Sequence, residues 1–362
     1  MPDIFSDLLL SWYDAHARAL PWRGIHNAYH TWVSETMLQQ TRVETVLSYY
    51  ERFLSRFPTV EALADAPEDE VLKLWEGLGY YRRAANLHRG AQQVMAEYGG
   101  ELPQSVDTLK KISGIGEYTA GAIASIAFDQ QVPAVDGNVI RVVSRVRGIR
   151  ENVGVPSVRR RLQREAAALV PKTRPGDFNQ AMMDLGATVC VPGTPSCEGC
   201  PVAALCDAYH AGDAEDLPEL PRKNPPRNID YDLCLLFSGN RVLMRQRTER
   251  MLQGLWVFPM LEEHHAPGRL PGLVRRALGL TASVPEAAGE ARHVFTHQVW
   301  RIRIYLMHVK EETAPEGWRF VTAEEMDALA LPTAVEKAAA IVREKLKGGN
   351  AHAQNGPRAE NP

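Results

Sequence analysis

Leu109-Lys110-Lys111-Ile112-Ser113-Gly114-Ile115-Gly116-Glu117-Tyr118-Thr119-Ala120-Gly121-Ala122-Ile123 is followed a short way on by Val132-Pro133-Ala134-Val135-Asp136-Gly137-Asn138-Val139. The first stretch reads as helix, tight turn, helix. Leu109 and Ile112 fall on one helical face, and Ala120, Ile123 and Ala124 continue an apolar face on the second helix. Gly114 and Gly116 between them allow backbone conformations that a side chain would block. Such a hairpin leaves free N–H groups at the start of its second helix, where a phosphate can sit. Asp136 heads another helix-like run, Val139-Ile140-Val142-Val143-Val146. It suits an N-cap, and a carboxylate at the positive end of a helix stays ionised.

The chain has 362 residues, 45% hydrophobic, with a net charge of −3. That length argues for two domains. No apolar run approaches the ~20 residues of a membrane span, and the acidic start Met1-Pro2-Asp3-Ile4-Phe5-Ser6-Asp7 lacks the basic flank of a targeting peptide. A soluble intracellular protein is expected. The overall charge does not point to nucleic acid, but its distribution does. From Arg141 to Arg174 ten Lys/Arg stand against Glu151 and Glu165, a basic stripe beside a phosphate-binding hairpin.

The first half reads as helices at roughly 4–17, 30–56, 59–64, 68–76, 80–98, 105–111, 117–128, 137–147, 157–169 and 177–187, with prolines between them. From residue 230 alternating β-branched runs take over, as in 232–237, 241–245 and 298–305. The expected architecture is multidomain. An all-α domain (1–213) that contains the hairpin is joined by a proline-rich linker (214–228) to an α/β domain (229–345), ahead of a disordered tail (346–362).

Four of the five cysteines fall in one window, Cys190-x6-Cys197-x2-Cys200-x5-Cys206. Such a cluster reads as a metal site rather than a disulfide framework. Four-cysteine zinc sites pair two short knuckles across a wide gap. One short knuckle between two longer spacers suits a [4Fe–4S] cluster, with zinc as the alternative. Cys234, alone in an expected strand, reads as core.

Trp32-Val33-Ser34-Glu35-Thr36-Met37-Leu38-Gln39-Gln40-Thr41 contains a carboxylate, Glu35, that shares a helical face with Trp32, Leu38 and Gln39. Apolar neighbours raise a carboxyl pKa, as a general acid at neutral pH requires. This decapeptide resembles the MutY-type adenine DNA glycosylases of the helix-hairpin-helix, endonuclease III-like superfamily. So do Leu20-Pro21-Trp22-Arg23, Gly77-Leu78-Gly79-Tyr80-Tyr81, Phe178-Asn179-Gln180-Ala181-Met182-Met183-Asp184-Leu185-Gly186 and the cysteine spacing over 190–206.

The resemblance implies a base-excision repair enzyme that removes adenine mispaired with 8-oxoguanine or guanine from double-stranded DNA. Glu35 would protonate adenine N7, while Asp136, supported by Asn138, stabilises the sugar cation and Tyr118 lines the site. Arg18, Trp22, Arg23, Leu38 and Gln180 would line the adenine pocket. Gln40, Thr41, Leu78 and Tyr80 would meet the opposite strand around 8-oxoguanine. Tyr118 occupies the position where bifunctional relatives carry a Schiff-base lysine, which implies a monofunctional enzyme. The domain at 229–345 resembles a Nudix fold, yet 270–279 lacks the acids that hold a Nudix metal, so it should bind rather than hydrolyse. Arg292-His293-Val294-Phe295-Thr296-His297 resembles the Phe-Ser-His loop that recognises 8-oxoguanine, so Phe295, Thr296 and His297 would read the lesion, with threonine in place of serine. The expected state is a monomer in the cytoplasm, nucleoid-associated if bacterial. The competing readings are another mismatch or oxidised-pyrimidine glycosylase on the same fold, and a non-catalytic Fe–S module that binds damaged DNA.

Overall fold

The computed structural model describes residues 2–222 and 224–353. Backbone packing divides the chain into two units, one joining Met1–Ala66 to Arg83–Lys223 and the other joining Pro67–Arg82 to Asn224–Pro362.

The first unit is helical: α1 (Pro2–His16), α2 (Ala28–Leu38), α3 (Val43–Arg56) and α4 (Val60–Ala64). The next helix, α5 (Glu68–Leu74), belongs to the second unit. The first unit resumes with α6 (Arg82–Tyr98), α7 (Val106–Leu109), α8 (Glu117–Phe128), α9 (Gly137–Val146), α10 (Pro156–Leu169), α11 (Pro175–Thr188) and α12 (Asp207–Ala211). One expected helix, 30–56, is two. The break falls at 39–42, where Gln40 adopts a left-handed φ of +58°, and the Arg83 guanidinium takes the freed carbonyls of Thr36 (2.9 Å), Met37 (2.8 Å) and Gln39. The cation thereby satisfies the open C-terminus of α2.

Apolar spacing on α9 places Val139, Val142, Val143 and Val146 in one core with Phe5 and Leu9 of α1, Leu162 of α10, and Phe178, Met182 and Leu185 of α11. Burial of each such valine contributes about 1.5 kcal/mol. The same core takes in Val202 and Ala208 beside the cysteines. The first unit also extends further than expected. Ala214 and Leu217 are buried in it, and Glu219 O accepts from Val153 N at 2.9 Å. The start of the stretch read as a linker at 214–228 is therefore packed, through Ala214 and Leu217, while 219–222 and 224–228 are exposed.

The second unit is a mixed sheet. Its strands are β1 (Arg227–Ser238), β2 (Arg241–Gln246), β3 (Trp256–Val257), β4 (Met260–Glu262), β5 (Glu286–Val294), β6 (Gln298–His308) and β7 (Arg319–Val321), in the order β3-β2-β1-β6-β5, with β4 on β1 and β7 on β2. β1 and β6 run parallel, while β5 and β6 form an antiparallel hairpin. Alternation along β1 feeds both faces. Leu233, Leu235 and Phe237 pack with Ala338, Ala339 and Val342 of α15 (Glu336–Ala353), which follows α14 (Ala323–Ala328). Cys234 and Leu236 pack with Leu270 and Val274 of α13 (Leu270–Leu278). This three-layer arrangement buries the sheet on both sides. Helix α15 runs to Ala353, through the first part of the expected disordered tail, as the packed turn ending at Leu346 carries the helix on. Residues 354–362 lie outside the described residues.

Pro67–Arg82 belongs to the second unit rather than to an uninterrupted 1–213 domain. Within that unit Lys73 Nζ donates to Leu329 O (2.9 Å), Leu331 N to Glu76 Oε1 (2.7 Å), Gln246 Nε2 to Asp69 Oδ1 (2.7 Å) and Tyr81 OH to Leu331 O (3.2 Å). No spacing in the sequence announces these bonds, which reach across more than a hundred residues.

Candidate active site

The hairpin forms as read, with one change. Gly114 has φ +84°, and a Cβ there would lie 2.9 Å from Asn86, so glycine is required. Gly116 has an extended backbone, φ −90° and ψ −178°, and a Cβ would meet nothing within 4 Å. It caps α8 without any side-chain bond to the first-turn amides, which leaves them open to an anion. Lys110 is held by Asp107 (3.4 Å) and Glu117 (3.2 Å) across the turn.

Three helices bring the candidate acids together. Glu35 lies buried on α2, and Tyr118, in the first turn of α8, donates a hydrogen bond to its carboxylate. Gln39 Nε2 donates to Thr119 Oγ1 at 3.2 Å, a second tie between the same helices. Burial drives the Glu35 pKa up to about 7. Nearby Asp136 pushes in the same direction, while the Tyr118 hydroxyl and the Arg23 charge oppose it. Tyr118 also reaches Met183 Sδ at 3.8 Å, and its own pKa is raised by burial and the neighbouring acids.

Asp136 is the N-cap of α9, accepting from Val139 N at 2.7 Å and from Asn138 Nδ2 at 2.9 Å. Burial raises its pKa, and those donors together with Arg141 oppose the rise. Arg141 Nη2 donates to Asn138 Oδ1 (2.9 Å) and Gly186 O (2.7 Å), and its Nε to Cys190 O (2.7 Å). A continuous chain of hydrogen bonds thus runs from Asp136 through Asn138 and Arg141 to the first cysteine. The loop before Asp136 is fixed by Asn179, which accepts from Ala134 N (3.0 Å) and donates to Val132 O (2.9 Å) and Ser125 Oγ (2.8 Å). Asn179 lies in the motif at 178–186, but residue order alone does not announce this role, because its partners lie 45 to 54 positions earlier.

The residues expected to line an adenine pocket divide. Trp22 is buried, its ring edge-on to Tyr50 at 5.2 Å, and Gln180 is buried on α11. Leu38 is half-buried at the end of α2. Arg18 and Arg23 both clamp Asp184, Arg18 through Nε (2.8 Å) and Nη2 (2.5 Å), Arg23 through Nη1 (2.6 Å) and Nη2 (2.7 Å). Burial alone would raise the Asp184 pKa, but the two arginines, mainly Arg23, outweigh it and hold the carboxyl below its ordinary value. Stability from this clamp is present at neutral pH and lost as pH falls through the depressed value. Asp184→Asn leaves two guanidiniums uncompensated and is expected to cost about 3 kcal/mol in a denaturant melt at pH 7. A cost below about 1 kcal/mol would mean that solvent screens the clamp.

Gln40 is exposed at the break after α2, and Thr41 Oγ1 accepts from Arg83 Nη2 at 3.0 Å. In the second unit Leu78 is buried within a turn whose Gly77, Gly79 and Tyr80 all have positive φ, and Tyr80 is exposed. Its hydroxyl lies 3.4 Å from Thr296 Oγ1, so two residues expected to read the opposite strand meet in one unit. Thr296 and His297 form the exposed turn of the β5–β6 hairpin. Phe295 stacks edge-on against Trp300 (4.8 Å) and His293 (4.4 Å), which anchors that turn to the core.

Cys190, Cys197, Cys200 and Cys206 line one cavity between α9 and the loop after α11. Arg145, 1% exposed, donates to Cys190 Sγ (3.3 Å), Leu217 O (2.9 Å), Val191 O (2.9 Å) and Gly193 O (3.2 Å). Among the described residues no three His, Cys, Asp or Glu side chains converge on the position of one metal ion. Four thiols around a shared apolar cavity, with a buried cation donating to sulfur, fit an anionic group held by thiolates.

Residues 33–168 match the HhH-GPD superfamily of base excision DNA repair proteins, and residues 233–340 match the NUDIX domain. The adenine DNA glycosylases of Mus musculus and Homo sapiens are each 38% identical to this chain. The mouse protein aligns over 95% of this chain and 79% of its own length, the human one over 92% and 73%. A thermostable thymine-DNA glycosylase is similar in structure, with a TM-score of 0.52 and 28% identity over 58% of this chain and 97% of its own. A trapped endonuclease III–DNA covalent intermediate, with a TM-score of 0.50 and 22% identity over 59% of this chain and 98% of that one, shares the fold. With relatives this similar over nearly its whole length, the chain belongs to the adenine DNA glycosylase family, base-excision repair enzymes that join an HhH-GPD fold to a Nudix domain.

Proposed function

We propose that this enzyme is a monofunctional glycosylase that excises adenine opposite 8-oxoguanine, and less selectively opposite guanine, from double-stranded DNA. The observation that carries the reading is the buried Glu35, its pKa held near 7, beside an N-capping Asp136. Adenine leaves as its C1′–N9 bond breaks, the bonding electrons passing to the base. Glu35 delivers the proton that makes the base a neutral leaving group, at N7. Asp136 faces the sugar cation that develops at C1′, by the two-carboxylate logic of glycoside hydrolysis. Water then adds to C1′ and sheds a proton, which leaves an abasic site. Tyr118 has no amine with which to form a Schiff base, so the strand stays intact. Arg18, Trp22, Arg23, Leu38 and Gln180 surround the extruded adenine, the open α8 amides after Gly114 and Gly116 hold a phosphate, and Gln40, Thr41, Leu78 and Tyr80 meet the opposite strand, where Gln40 and Tyr80 wedge the stack and offset the unstacking. Phe295, Thr296 and His297 read 8-oxoguanine.

Cys190, Cys197, Cys200 and Cys206 would hold a [4Fe–4S] cluster, which cross-links the loop that Arg141 and Arg145 grip. The protein is proposed to act as a monomer in the cytoplasm, on the nucleoid in a bacterium. Among the described residues no helix is long and apolar enough to cross a membrane.

The test is single-turnover incubation with duplexes carrying A opposite 8-oxoguanine, C opposite 8-oxoguanine, or T opposite G, scored before and after alkali. Alkali-dependent cutting at the adenine alone supports the reading. Cutting at T opposite G would transfer the chain to another mismatch class, and cutting without alkali would refute monofunctionality. The pH profile adds a second check. Glu35 must carry its proton, so excision falls as pH rises through about 7. The Tyr118 hydrogen bond lowers the Glu35 pKa, so Tyr118→Phe shifts this limb to higher pH. A limb that stays in place in the variant would separate Tyr118 from the acid.

A further inference from the structure

The basic stripe at 141–174 sorts itself in the fold. Arg147 pairs with Glu165, Arg150 with Asp213, Arg161 with Glu151, and Arg174 with Asp14 and Asp177. Arg141 and Arg145 hold the cysteine loop, and Arg159 donates to Val153 O at 3.1 Å. Lys172 is exposed and lies outside the groove beside α10, whereas Arg160 and Arg164 lie on it. Both are exposed on α10, one helical turn apart, and neither has an ion-pair or hydrogen-bond partner among the described residues. Like charges at this spacing oppose each other on a helix. The arrangement stands because an exposed helix face tolerates it, and it leaves two guanidiniums ready for an anion.

What they face is specific. Arg160, Gln163 and Arg164 form one wall of an open groove whose other walls include Glu117 and Tyr118 of α8 and Val135, the residue before Asp136. Glu117 is itself engaged by Lys110 at 3.2 Å, so it does not discharge the arginines. The groove therefore runs from Tyr118, which bonds Glu35, and Val135, which precedes Asp136, past the first turn of α8 to unpaired positive charge.

We propose that Arg160 and Arg164 bind backbone phosphates of the DNA strand that carries the target nucleotide, extending the grip of the hairpin along this groove. The proposal rests on the reading that Tyr118 and Asp136 face the reacting nucleotide, which places that strand at the head of the groove. Guanidinium forks match phosphate oxygens, and such contacts fix register without reading sequence.

The test uses full-length protein carrying Glu35→Gln, so that the DNA stays intact. Affinity for a duplex with A opposite 8-oxoguanine and for an undamaged duplex is measured between about 50 and 200 mM salt. Arg160→Ala with Arg164→Ala is expected to weaken binding at low salt on both duplexes. It should also flatten the slope of log K against log salt by about 1.8, or ~0.9 per phosphate lost. Arg160→Lys with Arg164→Lys restores the slope. Methylphosphonates flanking the target on its own strand abolish the difference between the alanine variant and its parent. An unchanged slope overturns the proposal, as does a difference abolished only when the opposite strand is neutralised. If wild-type protein fails to excise adenine while the slope still falls, the glycosylase reading fails and the phosphate contact stands.

Discussion

Glu35→Gln lowers single-turnover excision of adenine by about 10²–10⁴-fold, the range supplied by a positioned general acid, and makes the protein more stable at alkaline pH. Both outcomes have one cause. Gln preserves the volume of the side chain and can still accept the Tyr118 hydrogen bond, but it has no proton to give. The stability effect comes from burial, which lifts the Glu35 pKa from an ordinary 4.5 to about 7 in the fold. Between those values the folded chain holds a proton that the unfolded chain has released, so stability falls as pH rises. Above pH 7 the ionised carboxylate costs up to about 3 kcal/mol. Gln carries no such charge and escapes the penalty, so urea melts at pH 8 should favour the variant while melts at pH 4 barely separate the two. Equal loss of activity and stability would mean that Glu35 is a structural residue. Full activity in a variant that still binds duplex would move the enzyme's acid elsewhere.

Much of this arrangement could be read from residue order, and the remainder for definite reasons could not. Helix boundaries followed prolines and caps: Asp136 caps α9, and Pro156 and Pro175 open α10 and α11. These are local effects, carried within one turn of chain. The break after α2 escaped because Gln40 is neither glycine nor proline, and its left-handed backbone is compensated by Arg83, more than forty residues away. Asp184 was quoted in a motif, but its partners Arg18 and Arg23 lie over 160 residues earlier. The assignment of 67–82 to the second unit depends on hydrogen bonds to Leu329, Leu331 and Gln246 that no periodicity encodes. The stripe at 141–174 was legible as charge, whereas its division into paired and unpaired arginines is set by the fold. Glu35 could be named by its apolar neighbours and by resemblance. The hydrogen bond from Tyr118, which tunes its acidity, spans 83 positions and only the fold supplies it.

Asp136→Asn separates the capping task of Asp136 from the catalytic one proposed for it. As the N-cap of α9, Asp136 accepts from Val139 N, and Asn caps a helix as well as Asp does. The variant should fold with an unchanged Tm, and the core valines that follow on α9 should stay packed. What disappears is the negative charge opposite the forming sugar cation. The expected loss is about 10²–10³-fold in single-turnover excision, the effect of removing one preorganised electrostatic group, with duplex affinity retained. Charge, not shape, then has to be the cause. The raised pKa of Asp136 sharpens the test, because burial already disfavours its ionised form and only Val139 N, Asn138 and Arg141 oppose that. Removing a donor should therefore imitate the loss of charge in part. Arg141→Met leaves Asn138 Oδ1 and Cys190 O without their donor and should slow excision less than Asp136→Asn does, most severely at low pH, where the carboxylate gains its proton first. If Arg141→Met slows excision equally at every pH, Arg141 acts by holding the cysteine loop rather than by keeping Asp136 charged. If Asp136→Asn instead lowers the Tm while the rate of the folded fraction is untouched, Asp136 is a cap alone and the cation must be met by another group.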